Sequence, residues 1–216
     1  DIRGTEIAAT LSIGIALSPT DAGDTETMLQ MADTAMYKAK SRGRNRHVFY
    51  DKAFTEEVQQ RIAFESGLRK ALAEDGLVLH YQPQIDISSG DVLGVEALLR
   101  WRHPERGILR PIEFLRIAEG SGIMGAIDEW VIAEAFGVYR SWLKAGKAPG
   151  RLALNVSAKQ VADRDFPAQV EAMLRAFGLT PEHIELELSE DLLVEEGGDS
   201  RHVLEALDRM GVSMAI

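Results

Sequence analysis

From Leu77 onward, segments with the alternation of a β-strand take turns with segments that have the periodicity of an α-helix. The strand-like segments are Leu77–Gln84, Val92–Trp101, Leu152–Ser157, Ile184–Ser189 and Val212–Ile216, and the helical ones are Ile112–Glu119, Ala126–Ala145, Phe166–Ala176 and Arg201–Met210. Parallel strands need a long crossover, usually a helix, so this order predicts an α/β fold with a parallel sheet, either open or closed into a barrel. The first two strands differ, because only Ile85–Asp91 separates them. That link is shorter than the ~10–12 residues of a crossover and predicts an antiparallel hairpin.

The first fifty residues predict a smaller α+β unit. It comprises a strand at Ala8–Leu17, a helix from Thr25 to Ser41 and a short strand at His47–Tyr50. Two strands and one helix bury too little apolar surface for a robust core, so we interpret this segment as the C-terminal part of a domain. A charged helical pattern follows from Asp51 to about Glu74, and we interpret it as a connector. For its C-terminal half, an ordinary surface helix of the second domain is an equally good interpretation. The predicted domain limits are therefore 1–50, 51–76 and 77–216.

The composition narrows the classes of ligand and location. The formal net charge is −10, whereas nucleic-acid binders usually present a basic surface, so we expect no nucleic-acid partner. An anionic ligand would need a local cation, either arginine or a metal ion. The chain has no cysteine, which excludes disulfides and thiolate–zinc sites and is consistent with a reducing compartment. No apolar run reaches the ~18 residues of a membrane-spanning helix, and no targeting pattern begins the chain. We expect a cytoplasmic protein with no membrane segment in this chain.

One strand-like segment, Val92–Trp101, has an apolar face and a polar face. Glu96 and Arg100 share the polar face, where they form either a surface ion pair or part of a polar site. The same alternation test places Gln82, Asn155 and Glu187 on the polar faces of three other strands. Polar side chains that project from several strands of such a sheet usually mark a site at the carboxyl ends of the strands. The repetition favours the polar site.

The residue types at this site indicate its chemistry. Glu96, Asn155 and Glu187 offer hard oxygen ligands without histidine or cysteine, a set that suits magnesium or manganese rather than zinc. Arg100 lies two same-face steps beyond Glu96, where it can hold a phosphate. Centring the hairpin on its turn puts Gln82 opposite Glu96, with a one-residue slip as the alternative. The residues alone predict a metal-dependent site for an anionic, phosphorylated ligand.

Several separated motifs resemble the EAL-type cyclic di-GMP phosphodiesterase domain over about residues 60–216. In chain order they are YQPQID from Tyr81, GVEALLRW with Glu96-Ala97-Leu98, RHPERGILRPIEFLRIAE from Arg102, LNVS at Leu154–Ser157 and ELSE at Glu187–Glu190. The first fifty residues resemble the C-terminal end of a GGDEF-type (diguanylate cyclase-like) domain. The motifs that carry this second resemblance are TLSIGIA, ADTAMYKAKSRGRN and VFY. Tandem domains of this kind are common in bacterial second-messenger signalling.

The first resemblance implies a modified TIM (β/α) barrel whose first strand is antiparallel, in agreement with the short hairpin link. It implies hydrolysis of cyclic di-GMP to linear pGpG with two Mg²⁺ or Mn²⁺ ions. By the same resemblance Glu96 is catalytic and coordinates metal together with Asn155 and Glu187, while Gln82 and Arg100 contact the substrate, the arginine at a phosphate. Glu190 matches a glutamate that supports the neighbouring catalytic loop. Ser189 replaces the usual threonine and keeps its hydroxyl.

The family's paired aspartates, later lysine and later glutamates have no counterpart before Ile216, and the GGDEF-type signature loop is absent as well. We therefore expect a truncated barrel, no cyclase site, and no hydrolysis by these 216 residues alone, although the parent protein is expected to be a phosphodiesterase. One alternative is a non-catalytic cyclic di-GMP receptor. Another is an interaction module in which the N-terminal unit and the connector drive formation of a homodimer.

Overall fold

The computed structural model describes residues 10–188 and 198–216 of the chain. The chain divides into two compact units, Asp1–Ser66 and Gly67–Ile216. The division falls inside the predicted connector, residues 51–76.

In the first unit, helix α1 (Thr25–Ser41) connects two strands, β1 (Ser12–Ile15) and β2 (Arg46–Phe49), which pair with each other in parallel. The helix begins where predicted, because the Asp24 carboxylate accepts a hydrogen bond from the Thr27 backbone N–H at 2.9 Å. Strand β1 is shorter than the predicted Ala8–Leu17, whose first two residues lie outside the described residues. At the other end, Leu17 lies in a turn rather than in the strand, because its N–H donates a 2.7 Å hydrogen bond to the Asp21 side chain.

Helix α2 (Lys52–Ala73) follows, and its last turns belong to the second unit. There Leu68 is fully buried and Ala71 is nearly so. Gly67 lies against the indole of Trp101, since a Cβ on Gly67 would come within 3.3 Å of that ring. Arg69 donates a 2.7 Å hydrogen bond to the Ser121 carbonyl. These contacts favour the surface-helix interpretation for the C-terminal half of the connector.

The second unit is built on one six-stranded sheet. Its strands are β3 (Leu77–Ile85), β4 (Val92–His103), β5 (Gly107–Leu109), β6 (Arg151–Val156), β7 (Ile184–Leu188) and β8 (Ser213–Ala215), in the order β3-β4-β6-β7-β8, with β5 also pairing with β4. Strand β3 is antiparallel to β4, and the later steps of the main order are parallel. Gln82 lies opposite Glu96, so the predicted hairpin and its register are confirmed. The Asp86 carboxylate stabilises the turn by accepting from the N–H groups of Ser88 and Ser89.

Helices connect the parallel strands. They are α3 (Pro111–Ser121), α4 (Met124–Lys144), α5 (Ala158–Val161), α6 (Phe166–Phe177) and α7 (Gly198–Met210), with a 3₁₀ turn at Pro181–His183. Helix α3 has proline in its first turn and ends at Gly122, whose φ of 74° is the left-handed conformation that terminates helices. Strand β5, helix α5 and the 3₁₀ turn were not predicted, because segments of three or four residues are too short to show a period.

The core lies between the sheet and the helices. The apolar faces of β6 and β7 pack against side chains from α4, α6 and α7 in a buried cluster that includes Leu152, Leu154, Ile184, Leu186, Ile132, Phe136, Tyr139, Val170, Leu174, Val203 and Leu207. Because one face of each strand is committed to this core, the polar residues that alternate with it must project from the opposite face.

Gly150 allows β4 and β6 to lie side by side. Its φ is 88°, and a Cβ at this position would fall only 1.8 Å from the Leu93 carbonyl oxygen. The Tyr139 hydroxyl donates to the Gly150 carbonyl. This close approach lets β6 pair with β4 in the register Glu96↔Ala153, which places the carboxyl end of β6 beside the middle of β4.

Candidate functional site

Three residues with oxygen-bearing side chains meet on the polar face of the sheet. Glu96 projects from β4, Asn155 from the end of β6, and Glu187 from the end of β7. The Asn155 amide nitrogen Nδ2 donates to Glu96 Oε1 at 2.7 Å, and Asn155 pairs in register with Glu187. The three residues predicted to be metal ligands are therefore neighbours in space.

The two carboxyl groups interact strongly. Partial burial, together with the adjacent charge and hydrogen bond of Glu96, raises the pKa of Glu187 to about 7. Two carboxylates so close together favour holding one proton between them. A divalent cation is the other species that relieves this repulsion.

The donor set fits a hard cation. In the described parts of the chain no third carboxylate or imidazole joins the Glu96–Glu187 pair, so the Asn155 amide oxygen is the remaining candidate donor. Carboxylate and amide oxygens are the ligands that Mg²⁺ and Mn²⁺ prefer, and Mg²⁺ usually takes only one or two carboxylates and completes its shell with water and substrate phosphate.

A cavity of about 780 Å³ opens beside this cluster. Glu96 and Asn155 line it together with Arg100, and its further wall comes from α3, α4 and the segment after β6, including Pro111, Ile112, Leu115, Asp128, Val131 and Gln160. The wall is mostly apolar and the volume falls within the range of small-molecule sites. The position of Glu96 and Arg100 in one cavity wall favours the polar-site hypothesis over a simple surface ion pair.

Arg100 is half-buried, and its Nη1 donates to the Leu99 carbonyl at 2.7 Å. This hydrogen bond restricts the guanidinium while the side chain still faces the cavity. Gln82 lies across the hairpin from Glu96 and its side chain is exposed. Glu190, with the adjacent Ser189, lies outside the described residues.

Asp128 is a site residue that the sequence analysis missed. It projects from α4 into the cavity wall, and Ser157 Oγ donates to its Oδ2 at 3.1 Å. Burial raises the pKa of the Asp128 carboxyl to about 6, against the lowering effects of the Ser157 hydrogen bond and the Lys159 charge. Alternation between two faces identifies polar positions on strands alone, and Asp128 lies on a helix. The available signal was the acidic pair Asp128-Glu129 inside the otherwise apolar run Gly125–Ile132.

Comparison with known proteins defines the class. The EAL domain family matches residues 65–216, and the diguanylate cyclase GGDEF domain family matches residues 1–46. The chain therefore belongs to the EAL domain family, and a GGDEF-domain segment precedes the EAL domain. Both predicted resemblances are confirmed.

Relatives of known name cover nearly the whole chain. It is 39% identical to the bifunctional diguanylate cyclase/cyclic di-GMP phosphodiesterase MucR of Pseudomonas aeruginosa, over 98% of this chain and 31% of that protein. It is 34% identical to the cyclic di-GMP phosphodiesterase PdeR of Escherichia coli, over 97% of this chain and 31% of PdeR. The chain thus spans about a third of the length of these curated relatives.

Solved structures share the fold. A cyclic di-GMP complex of the PaMucR phosphodiesterase superposes with a TM-score of 0.67 at 40% identity, covering 71% of this chain and 62% of that one. The EAL enzyme Bd1971 superposes with a TM-score of 0.68 at 22% identity, covering 89% of this chain and 50% of that one. The predicted class, an α/β fold of the TIM-barrel type with an antiparallel first strand, is confirmed. Within the described residues, no helix combines the length and apolarity needed to cross a membrane.

Proposed function

We propose that the EAL domain of this chain binds cyclic di-GMP and that the whole protein hydrolyses it to linear pGpG with two Mg²⁺ or Mn²⁺ ions. The observation that carries the proposal is the meeting of Glu96, Asn155 and Glu187 at the edge of a cavity whose wall also holds Arg100. A cluster of hard oxygen donors next to a guanidinium is suited to a phosphodiester bound through a metal ion. The names of the MucR and PdeR relatives support the same substrate.

Glu96 and Glu187 would hold the cation through their carboxylate oxygens, with Asn155 adding its amide oxygen. When bound, such a cation supplies an activated water and neutralises charge that develops on the phosphate. Arg100 binds a phosphate oxygen through charge-assisted hydrogen bonds and fixes the phosphodiester beside the carboxylates. Gln82, which pairs with Glu96 across the hairpin, would help to position the ligand.

Asp128 would recognise a base on the cavity wall. Its carboxylate can accept two N–H hydrogen bonds, and guanine offers adjacent N–H donors on one edge. The Ser157 hydroxyl, which donates to Asp128 Oδ2, holds the carboxylate in orientation. The surrounding apolar wall, with Pro111, Ile112 and Val131, is suited to the flat face of a base.

Two other expectations stay predictions. One is self-association of the chain through its N-terminal unit, which sizing at several protein concentrations would test. The other is a cytoplasmic location.

Replacing Arg100 by methionine should weaken binding of cyclic di-GMP by about tenfold to a hundredfold, because a hydrogen bond to a charged group contributes about 1.5–3 kcal/mol. The measurement is calorimetric titration of cyclic di-GMP into this chain in the presence of Mg²⁺. Arg175→Met is the matched control, since Arg175 lies on α6 in a surface pair with Glu171. Wild-type affinity in the R100M variant, or failure of the wild-type chain to bind at all, would contradict the proposal.

Turnover is measured separately, as formation of linear pGpG by the whole protein with Mg²⁺ or Mn²⁺. Binding with hydrolysis supports the phosphodiesterase. Binding without hydrolysis in the presence of either metal would support the non-catalytic receptor and contradict the phosphodiesterase.

A further inference from the structure

Gln84 contacts the cluster of Glu96, Asn155 and Glu187 from β3, the edge strand of the sheet. It projects from β3, and its amide nitrogen Nε2 donates to Glu187 Oε1 at 3.1 Å. Both side chains are half-buried, and their strands are separated by β4 and β6 in the sheet order. The hydrogen bond therefore reaches across the polar face of two intervening strands.

Two small residues make this reach possible. Gly94 is the register partner of Gln84 on β4, and a Cβ at Gly94 would come within 3.1 Å of Gln84 Oε1 and within 2.6 Å of the Arg151 carbonyl oxygen. On β6, the position paired with Glu96 is Ala153, which is fully buried. A larger side chain at Gly94 would occupy the space that the Gln84 amide now uses.

The chemistry of the contact determines which end of the amide faces Glu187. The amide NH₂ of Gln84 points at Glu187, and this is the end that a metal-binding carboxylate requires, since an ionised carboxylate only accepts hydrogen bonds. The amide oxygen Oε1 is then turned toward Gly94, away from the carboxylates. Gln84 is thus placed to orient a metal ligand rather than to serve as one.

The arrangement repeats a contact already present on the other carboxylate. Asn155 donates to Glu96 through one amide N–H, and Gln84 donates to Glu187 through another. Groups that hold a metal ligand in this way restrict its rotation, and their loss typically lowers metal affinity by about 10- to 100-fold.

We propose that Gln84 is a positioning residue for Glu187: its hydrogen bond to Oε1 holds the carboxylate in the orientation in which it would bind the divalent cation. This inference rests on the proposed metal site.

The test is Mn²⁺ affinity of the full 216-residue chain without nucleotide, followed by electron paramagnetic resonance. The method gives the free Mn²⁺ concentration and also a spectrum of the bound ion, which reports the arrangement of its ligands. Gln84→Met keeps the length of the side chain and removes the donor. The matched control is Gln169→Met, because Gln169 on α6 also donates its amide to a carboxylate, that of Asp163, at 3.2 Å.

We expect the Q84M variant to bind Mn²⁺ about 10- to 100-fold more weakly, with an altered bound spectrum, and Q169M to match the wild type. Wild-type affinity and spectrum in Q84M, together with loss of binding in Glu187→Ala, would overturn this inference and leave the metal site intact. Wild-type binding in E187A would instead overturn the metal site itself. Should Q84M fail to fold, Gln84→Asn retains the amide but is one methylene too short, and the same loss is expected from it.

Discussion

Replacement of Glu96 by alanine should reduce hydrolysis of cyclic di-GMP by the whole protein about 10³-fold or more while leaving the chain folded. Glu96 occupies the centre of the cluster, since Asn155 donates to it and its charge acts on Glu187. Its loss would remove a carboxylate from the proposed cation site, and a bound cation contributes several kcal/mol of charge stabilisation to such a reaction. The fold should tolerate the change, because Glu96 is only half-buried and its removal relieves repulsion between two acids.

The measurement is initial rate of pGpG formation at saturating Mg²⁺, paired with a urea unfolding curve. Glu185→Ala is the matched control. Glu185 lies on β7 two residues before Glu187; its carboxylate forms an ion pair with Arg151 at 3.2 Å and acts on Glu187 through its charge. The control should stay within about twofold of the wild type. Retained turnover in E96A at saturating Mg²⁺ would contradict a catalytic role for Glu96.

The largest expected loss of stability follows from Trp101→Ala, at about 3–5 kcal/mol of the free energy of unfolding. Trp101 is 1% exposed at the end of β4. Its ring packs edge-on against Phe114 of α3, with centroids 5.8 Å apart, and lies against Gly67 of α2. Truncation therefore opens a cavity where three elements meet.

Urea unfolding followed by circular dichroism measures this loss. Ile87→Ala, in the fully exposed hairpin turn, removes apolar atoms without creating a cavity and should cost no more than about 0.5 kcal/mol. A cost below about 1 kcal/mol for W101A would show that the contact between α2, α3 and β4 does not stabilise the second unit as described.

The parts of the site that lie on strands could be predicted, because alternation alone decides which side chains share a face. Gln82 lies opposite Glu96, as predicted from the length of the hairpin link, and Asn155 and Glu187 alternate with the core residues of their strands, as predicted. The antiparallel hairpin followed from the length of its link. These features depend on local geometry that the sequence displays directly.

The parts of the fold and the site that could not be predicted depend on contacts that local sequence patterns do not show. Asp128 reaches the cavity from a helix, and nothing in its local pattern specifies which wall that helix forms. Gln84 stands on the predicted polar face, but its contact with Glu187 depends on the small size of Gly94 and on strand order across the sheet. Leu17 was wrongly predicted to be in a strand. Its N–H donates to the Asp21 side chain in a turn, and this contact is not visible in the periodicity of the sequence.

The central claim is that Glu96, Asn155 and Glu187 together hold a divalent cation. A chain with a formal net charge of −10 can attract Mn²⁺ at many exposed carboxylates, so location matters more than stoichiometry. The direct measurement is paramagnetic broadening of nuclear magnetic resonance signals as Mn²⁺ is added in small steps to this chain. We expect signals from Glu96 and its neighbours in the middle of β4, and from the carboxyl ends of β6 and β7, to disappear first. First broadening at surface acids elsewhere, with these three strand segments unaffected, would contradict the claim.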